Sequence, residues 1–219
     1  MFSQFIPAVF RSMNPQFGIP INETVLPGKA VIAFFGQREA YAAFEKDVMK
    51  NPTYGTSTGM VHFSGQRFVY AGVDKSLDIS SVRSIGWAIA GGYTNRFYSN
   101  VTLPTWFAAG LPGALADTVL PRDEKSLRHG KESIASSIRR SGSLNAILDA
   151  TNIDGEREPL AKLLVQFLIA RDSVAATQYV RDLKSGQEPA VALQNNFGLT
   201  HETLAMEFGR ALGVPNVRP

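Results

Sequence analysis

A helical hydrophobic period begins in the stretch Val82-Arg-Ser-Ile-Gly-Trp-Ala-Ile-Ala-Gly-Gly-Tyr-Thr-Asn-Arg-Phe97. Its larger apolar side chains recur every three or four residues and so share one face of a helix: Val82, Ile85, Ile89, Tyr93 and Phe97. We predict a helix over 78–98 and a second helix over 103–119. Before residue 75 the apolar runs are shorter, so we expect the chain to change from strands to helices near this residue.

Short apolar runs bounded by turn residues precede this helix. Residues 29–35 predict a buried strand, and residues 60–63 and 67–70 flank Ser64-Gly65-Gln66 as the two arms of a hairpin. Residues 38–49 have helical spacing. Because strands come first and helices later, the sequence indicates an α+β fold with a small sheet packed on the helix 78–98.

The second half of the chain is predicted to be helical. A charged connector at 121–128 is followed by six segments of helical spacing: 129–140, 143–150, 157–170, 173–184, 188–196 and 200–212. We therefore expect a single domain over 29–214, with an α/β part at 29–120 and a helical part at 121–214.

Residues 1–28 are rich in proline and phenylalanine and predict an extended N-terminal arm. Two interpretations of the arm stay open. It is either a lead-in that packs on its own domain, or a free arm whose phenylalanines anchor a partner protein. In the second case, deletion of residues 1–25 leaves the domain folded and weakens partner association.

The composition excludes several function classes. Of 219 residues, 44% are hydrophobic and 19% are charged, and the net charge is +3. The basic residues are mostly interleaved with acidic ones, so the sequence gives no indication of nucleic-acid binding. The chain has no cysteine, which excludes disulfides and cysteine-based zinc sites. No apolar run approaches the roughly 20 residues of a membrane span. We see no signal peptide, so a cytoplasmic location is the default expectation.

The segment Leu103-Pro-Thr-Trp-Phe-Ala-Ala-Gly-Leu111 is similar to the L-P-x-W-L-x-E-G-L-A block of bacterial gluzincin-type zinc metallopeptidases. In that family the block follows a helix that carries HExxH. The similarity extends over about residues 29 to 212 and includes the opening strand, the apolar helix at 163–168 and the closing helix after Phe197-Gly-Leu199. The resemblance implies a metallopeptidase-like domain.

The chemistry of that family is missing from this chain. In HExxH two histidines on one helix face ligate zinc and the glutamate polarises a water, while a glutamate of the next helix completes the site. The matching positions hold Gly86 and Ala90 for the histidines, Trp87 for the general base and Ala109 for the third ligand. None of these side chains has a lone pair for a metal. The resemblance therefore implies a pseudoenzyme without catalytic residues, metal or cofactor.

Two further features concern the same pair of helices. Pro112 lies inside the second helix and is predicted to kink or split it. Small residues such as Gly91 and Gly92 would let the helices approach closely. Trp87 then either plugs the former cleft or stands in an ordinary core helix that Gly91-Gly92 weakens. The sequence leaves both interpretations open.

Other candidate chemistry is sparse. His62, His129 and His201 share no helical spacing, and His62 is predicted to be a half-buried structural residue of a strand. The last two lie near predicted helix starts, with Thr200 as the cap of the closing helix. Ser57 lies in a G-x-S-x-G string, but a nucleophile elbow needs a strand before the serine and a helix after it. We therefore interpret that string as a turn.

The sequence favours a catalytically inactive metallopeptidase-like protein that serves as a structural or binding subunit of a complex, with a protein as its partner. Two alternatives remain. One is a peptide-binding module that keeps the family's cleft without cleaving. The other is a hydrolase with unrecognised non-zinc chemistry, in which Ser57 is the first candidate for the nucleophile.

Overall fold

The computed structural model describes residues 11, 14–17, 19–21, 30–51, 59–64, 67–73, 79–96, 99, 101–119 and 123–219. The fold is α+β, as the sequence predicts. The strands are β1 (Ala30–Phe35), β2 (Gly59–Ser64) and β3 (Arg67–Val73). The helices are α1 (Arg38–Ala43), α2 (Ile79–Arg96), α3 (Thr105–Val119), α4 (Glu124–Ser141), α5 (Asn145–Leu148), α6 (Glu158–Arg171), α7 (Ser173–Lys184), α8 (Pro189–Phe197) and α9 (His201–Ala211).

The sheet has the strand order β1-β3-β2. The predicted hairpin is present: β2 runs antiparallel to β3, with His62 opposite Val69. β1 pairs in parallel with β3, so the chain between them must cross over, and α1 lies in that crossover. The sheet packs on α2 through Tyr70 and Ala88, as the sequence predicts.

One hydrophobic core joins the helices from α2 to α9. α3 is its central element and packs against α2 on one side and α6 on the other. Phe107 of α3 contacts Trp106 and Tyr179 edge to face, with ring centroids 5.3 and 5.1 Å apart. This arrangement places α3 between the sheet-bound helix and the C-terminal helices.

Pro112 does not split α3, so this one of the two predicted outcomes, a kink or a split, is wrong. The helix is continuous from Thr105 to Val119 with Pro112 inside it. Pro112 is buried, and a Cβ placed on Gly91 of α2 would lie 3.7 Å from its ring. Packing of α3 between two helices offsets the intrinsic cost of an interior proline, which is about 3 kcal/mol.

The predicted connector at 121–128 is also partly wrong, because α4 begins at Glu124 and not at residue 129. Asp123 caps the helix by accepting a hydrogen bond from the amide of Ser126 at 2.9 Å. A hydrogen bond from the Ser126 hydroxyl, and after it the bond from this amide, lower the pKa of the Asp123 carboxyl. The first turns of α4 are exposed and charged, so they carry no hydrophobic period that would mark them as helix.

Part of the predicted N-terminal arm is folded onto the domain. Asn14–Phe17 form a 3-10 turn that contacts α7, and Ile19 packs against the main core. Asn14 is buried, and its Nδ2 donates to the carbonyl oxygen of Pro20 at 2.9 Å. These residues pack on their own domain, as the first of the two interpretations expects, and Asn14–Phe17 form a turn instead of extended chain. Phe2, Phe5 and Phe10 lie outside the described residues.

The chain after α9 returns to the turn between α4 and α5. Val214 and Val217 are buried in the main core. The amide of Arg218 donates to the carbonyl oxygen of Gly142 at 3.0 Å, and the amide of Leu144 donates to that of Arg218 at 2.9 Å. Residues 214–218 therefore join the end of α9 to the core and to the turn between α4 and α5.

Within the described part of the chain, every helix is too short or too polar to cross a membrane.

Candidate functional site

The four positions that match the metallopeptidase site lie on the packed pair α2 and α3. Gly86 and Ala90 are buried in α2, and Ala109 is partly buried in α3. Trp87 is half-buried and lines a cavity, whose lining includes none of the other three residues. The packing of α2 and α3 thus puts the indole ring, rather than a ligand set, beside an open space.

This cavity, here called the Trp87 cavity, has a volume of about 310 Å³. Its walls come from α2, α3, α4 and α6. The apolar part of the lining is formed by Trp87, Ala116, Leu127, Ile134, Pro159 and Leu163. The charged part is formed by Arg83, Asp117, Lys131, Glu158 and Lys162. Both the size and the mixed lining are typical of sites for small ligands or single side chains.

The cavity exists because α3 and α6 pack tightly while α4 stands off from them. A Cβ on Gly110 of α3 would lie 2.4 Å from the carbonyl oxygen of Ala161 in α6, so the two backbones nearly touch. On α4, residues Leu127, Gly130 and Ile134 share the face that lines the cavity. A Cβ on Gly130 would meet no atom within 4 Å. Unfilled space therefore remains on that side.

A partly buried ion pair crosses the cavity wall between α3 and α6. The Nζ of Lys162 lies 2.8 Å from an oxygen of Asp117, and the Nε2 of Gln166 donates to the same oxygen at 3.1 Å. The two charged side chains are 12% (Asp117) and 17% (Lys162) exposed. One oxygen of this carboxylate is therefore occupied by two donors from α6.

Trp87 lies between the cavity and the sheet. Its ring packs against the cluster formed by Tyr70 and Ala88. Its Nε1 is buried and has no hydrogen-bond partner among the described residues. Leaving such a donor unpaired costs about 1–3 kcal/mol. The ring is thus held by apolar packing and not by a hydrogen bond.

A second polar cluster lies at the sheet, away from the cavity. Glu45 is fully buried in the π-helical turn Phe44–Val48 that follows α1. Its two carboxylate oxygens lie 2.9 and 2.8 Å from the Nε2 of His62, and Asn51 donates to it at 2.7 Å. The side chain of His62 is 15% exposed, in agreement with the predicted half-buried residue. Sequence reasoning missed Glu45 because no periodic signal marks a single π-helical turn.

The remaining candidate residues are dispersed. Among the residues that the structure describes, no three His, Asp or Glu side chains come close enough together to hold a metal ion. His201 begins α9 behind the Thr200 cap, as predicted, whereas His129 lies within α4 rather than near its start. Ser57 lies outside the described residues.

Compared with known proteins, the chain matches no family model, no curated protein and no solved structure. The resemblance to gluzincin-type metallopeptidases therefore rests on the sequence segments quoted above.

Proposed function

We propose that the protein is a non-enzymatic, metallopeptidase-like binding subunit that holds a segment of a partner protein in the Trp87 cavity. The observation that carries the proposal is the cavity itself, which opens beside the position where the family has its general base. Fold alone does not establish a function, so the argument rests on the lining of this site.

The lining suits binding better than catalysis. Trp87 presents an aromatic surface, and tryptophan is among the residues that contribute most to the free energy of protein association. Asp117 is already paired with Lys162 and Gln166. Gly86, Ala90 and Ala109 contribute no metal-binding group. A site with a hydrophobic anchor and neutralised acid can hold a ligand without activating water.

The proposal is tested by co-purification with a cavity-filling variant. Gly130→Leu puts a side chain into open space at the cavity wall, and Gly36→Leu is the matched control, because a Cβ on Gly36 also meets no atom within 4 Å and lies outside the cavity lining. A partner that co-purifies in a stoichiometric amount with the wild type and with Gly36→Leu should be lost from Gly130→Leu. A partner that stays bound to Gly130→Leu would contradict the proposed site. Stoichiometric zinc or peptide hydrolysis by the purified wild type would overturn the proposal as a whole.

A second candidate function is a hydrolase that uses the pair of His62 and Glu45. A carboxylate that orients a histidine is one arrangement that supports general-base catalysis, and an oxygen of Glu45 lies 2.8 Å from the Nε2 of His62. Ser57, the first candidate for the nucleophile, lies outside the described residues. The support for a hydrolase therefore comes from the pair of His62 and Glu45 alone. An esterase or peptidase activity that His62→Ala abolishes, with the folded structure retained, would favour it over the binding subunit.

A further inference from the structure

The strand β1 forms one edge of the sheet. Within the described part of the chain, β1 pairs with β3 along its whole length, and its outer edge pairs with no other strand. An edge strand presents backbone N–H and C=O groups to which a further strand can bond. The sheet can therefore be extended on the side of β1 that faces away from β3.

The sequence of β1 contains none of the residues that protect an edge strand from pairing. It reads Ala-Val-Ile-Ala-Phe-Phe, without a charge, a proline or a glycine, and its register with β3 has no bulge. Natural edge strands are commonly protected by lysine, proline or a bulge. The opposite edge differs, because β2 contains Gly59, His62 and Ser64. We therefore expect the apolar edge at β1 to be covered by another strand in the native assembly.

The side chains of β1 are incompletely covered on both faces of the sheet. Ile32 and Phe34 lie on the side of α2, but α2 packs over β2 and β3, and both side chains stay partly buried. On the opposite face, Val31 is 45% exposed. None of residues 31–35 is fully buried. A strand beside β1 would cover apolar surface on both faces, which stabilises an interface.

A second copy of the same strand matches this edge. In an antiparallel pair about a two-fold axis, each copy supplies the backbone groups that the other one needs. Such an axis is perpendicular to the sheet, so Ile32 and Phe34 meet their symmetry mates on the α2 side. Because β1 is uncharged, this pairing brings no like charges together. It also closes after two copies, whereas pairing of β1 with β2 of another copy would continue without limit.

We propose that two copies of the chain form a dimer by antiparallel pairing of β1 about a two-fold axis near Ala33, which joins their sheets into one. This inference goes beyond the proposed function and does not depend on it. The described lining of the Trp87 cavity includes no residue of β1. Dimer formation and partner binding are therefore measured separately.

Sedimentation equilibrium of the purified chain over a dilution series tests the dimer. We expect a mass of twice the chain mass of 23.8 kDa at high concentration. Val31→Lys puts a charge at the edge and should raise the dissociation constant of the dimer at least about tenfold, because the two copies then bring like charges together. Val174→Lys is the matched control, since Val174 is 77% exposed on α7, and it should leave the constant unchanged. Thermal unfolding of both variants checks that they are folded.

Cross-linking locates the contact and does not depend on the folding of Val31→Lys. The chain has no cysteine, so a single introduced thiol reacts only with its counterpart in another copy. With the axis near Ala33, the two copies of residue 31 are four strand positions apart, or about 13 Å. A bismaleimide linker of about that length should join two copies of Val31→Cys and should not join two copies of Val174→Cys.

The remaining outcomes overturn the proposal. A wild type that is monomeric at every concentration would exclude the second copy as the occupant and leave the edge to a strand of another protein. Assemblies that keep growing with concentration would exclude the two-fold pairing. A dimer that Val31→Lys and Val174→Lys weaken equally, or equal cross-linking of the two cysteine variants, would place the contact away from β1.

Discussion

At the scale of single residues, two glycines on neighbouring helices have opposite surroundings. A Cβ on Gly110 would lie 2.4 Å from a carbonyl oxygen of α6, whereas a Cβ on Gly130 would meet nothing within 4 Å. We expect Gly110→Ala to lower the free energy of unfolding by about 1–3 kcal/mol, because α3 must move away from α6. Gly130→Ala should raise it by about 0.5–1 kcal/mol, because alanine loses less backbone freedom in a helix. Urea unfolding of both variants measures these changes, and a wild-type midpoint for Gly110→Ala would disprove the close approach.

The buried carboxylate of Glu45 leads to a second prediction at this scale. Glu45→Ala removes the buried carboxylate to which His62 and Asn51 donate. The free energy of unfolding should fall by about 1–3 kcal/mol, because the partly buried ring of His62 loses the hydrogen bond to this carboxylate. Glu39→Ala is the control, since Glu39 is exposed in the first turn of α1. Thermal unfolding of the two variants compares them, and equal melting temperatures would argue against a structural role of the cluster.

At the scale of elements, the sequence predicted those segments whose hydrophobic period is unbroken. The three strands and α2 follow from short apolar runs and a change of period near residue 75. The start of α4 at Glu124 was missed because its exposed turns have no apolar stripe. The continuity of α3 through Pro112 was missed because it depends on packing against α2 and α6. The Trp87 cavity depends on how far α4 stands from α3 and α6, and no local pattern encodes such a distance.

Lys184 of α7 fixes the connection between α2 and α3. Its Nζ donates to the carbonyl oxygens of Ser99 at 3.0 Å and Val101 at 2.8 Å, and the side chain is 2% exposed. Lys184→Met keeps most of the apolar stem and removes these donors. We expect a loss of about 1–3 kcal/mol at neutral pH, against less than about 0.5 kcal/mol for the exposed Lys131→Met. Urea unfolding at neutral pH provides the comparison.

The same residue predicts a pH dependence. Burial lowers the pKa of Lys184 from its ordinary value of 10.5. The native state therefore releases this proton at a lower pH than the unfolded chain does, and in the window just below 10.5 the unfolded chain binds more protons. The stability of the wild type relative to Lys184→Met should rise with pH through that window. Urea midpoints of both proteins at about pH 8 and about pH 10 measure the difference, and a falling difference would show that burial does not disfavour the charged form.

At the scale of the whole molecule, the contacts of residues 14–21 change the expected effect of an N-terminal deletion. Ile19 packs on the main core and Asn14 is buried beside α7. Deletion of residues 1–25 should lower the free energy of unfolding by about 1–3 kcal/mol, because it removes these contacts. Deletion of residues 1–10 spares them and is the control. Unfolding midpoints that are the same for both deletions would show that the turn at Asn14–Phe17 contributes nothing to the domain.

The contacts of residues 214–218 with the core and with the turn between α4 and α5 also have a consequence for biosynthesis. Val217 completes the core and Arg218 bonds to Gly142 and Leu144, which lie more than seventy residues earlier in the chain. Until this segment has left the ribosome, the part of the core that Val214 and Val217 complete stays uncovered. Such late, long-range contacts slow folding and expose surfaces that aggregate. Nascent chains that lack residues 214–218 should therefore aggregate more readily than the full chain.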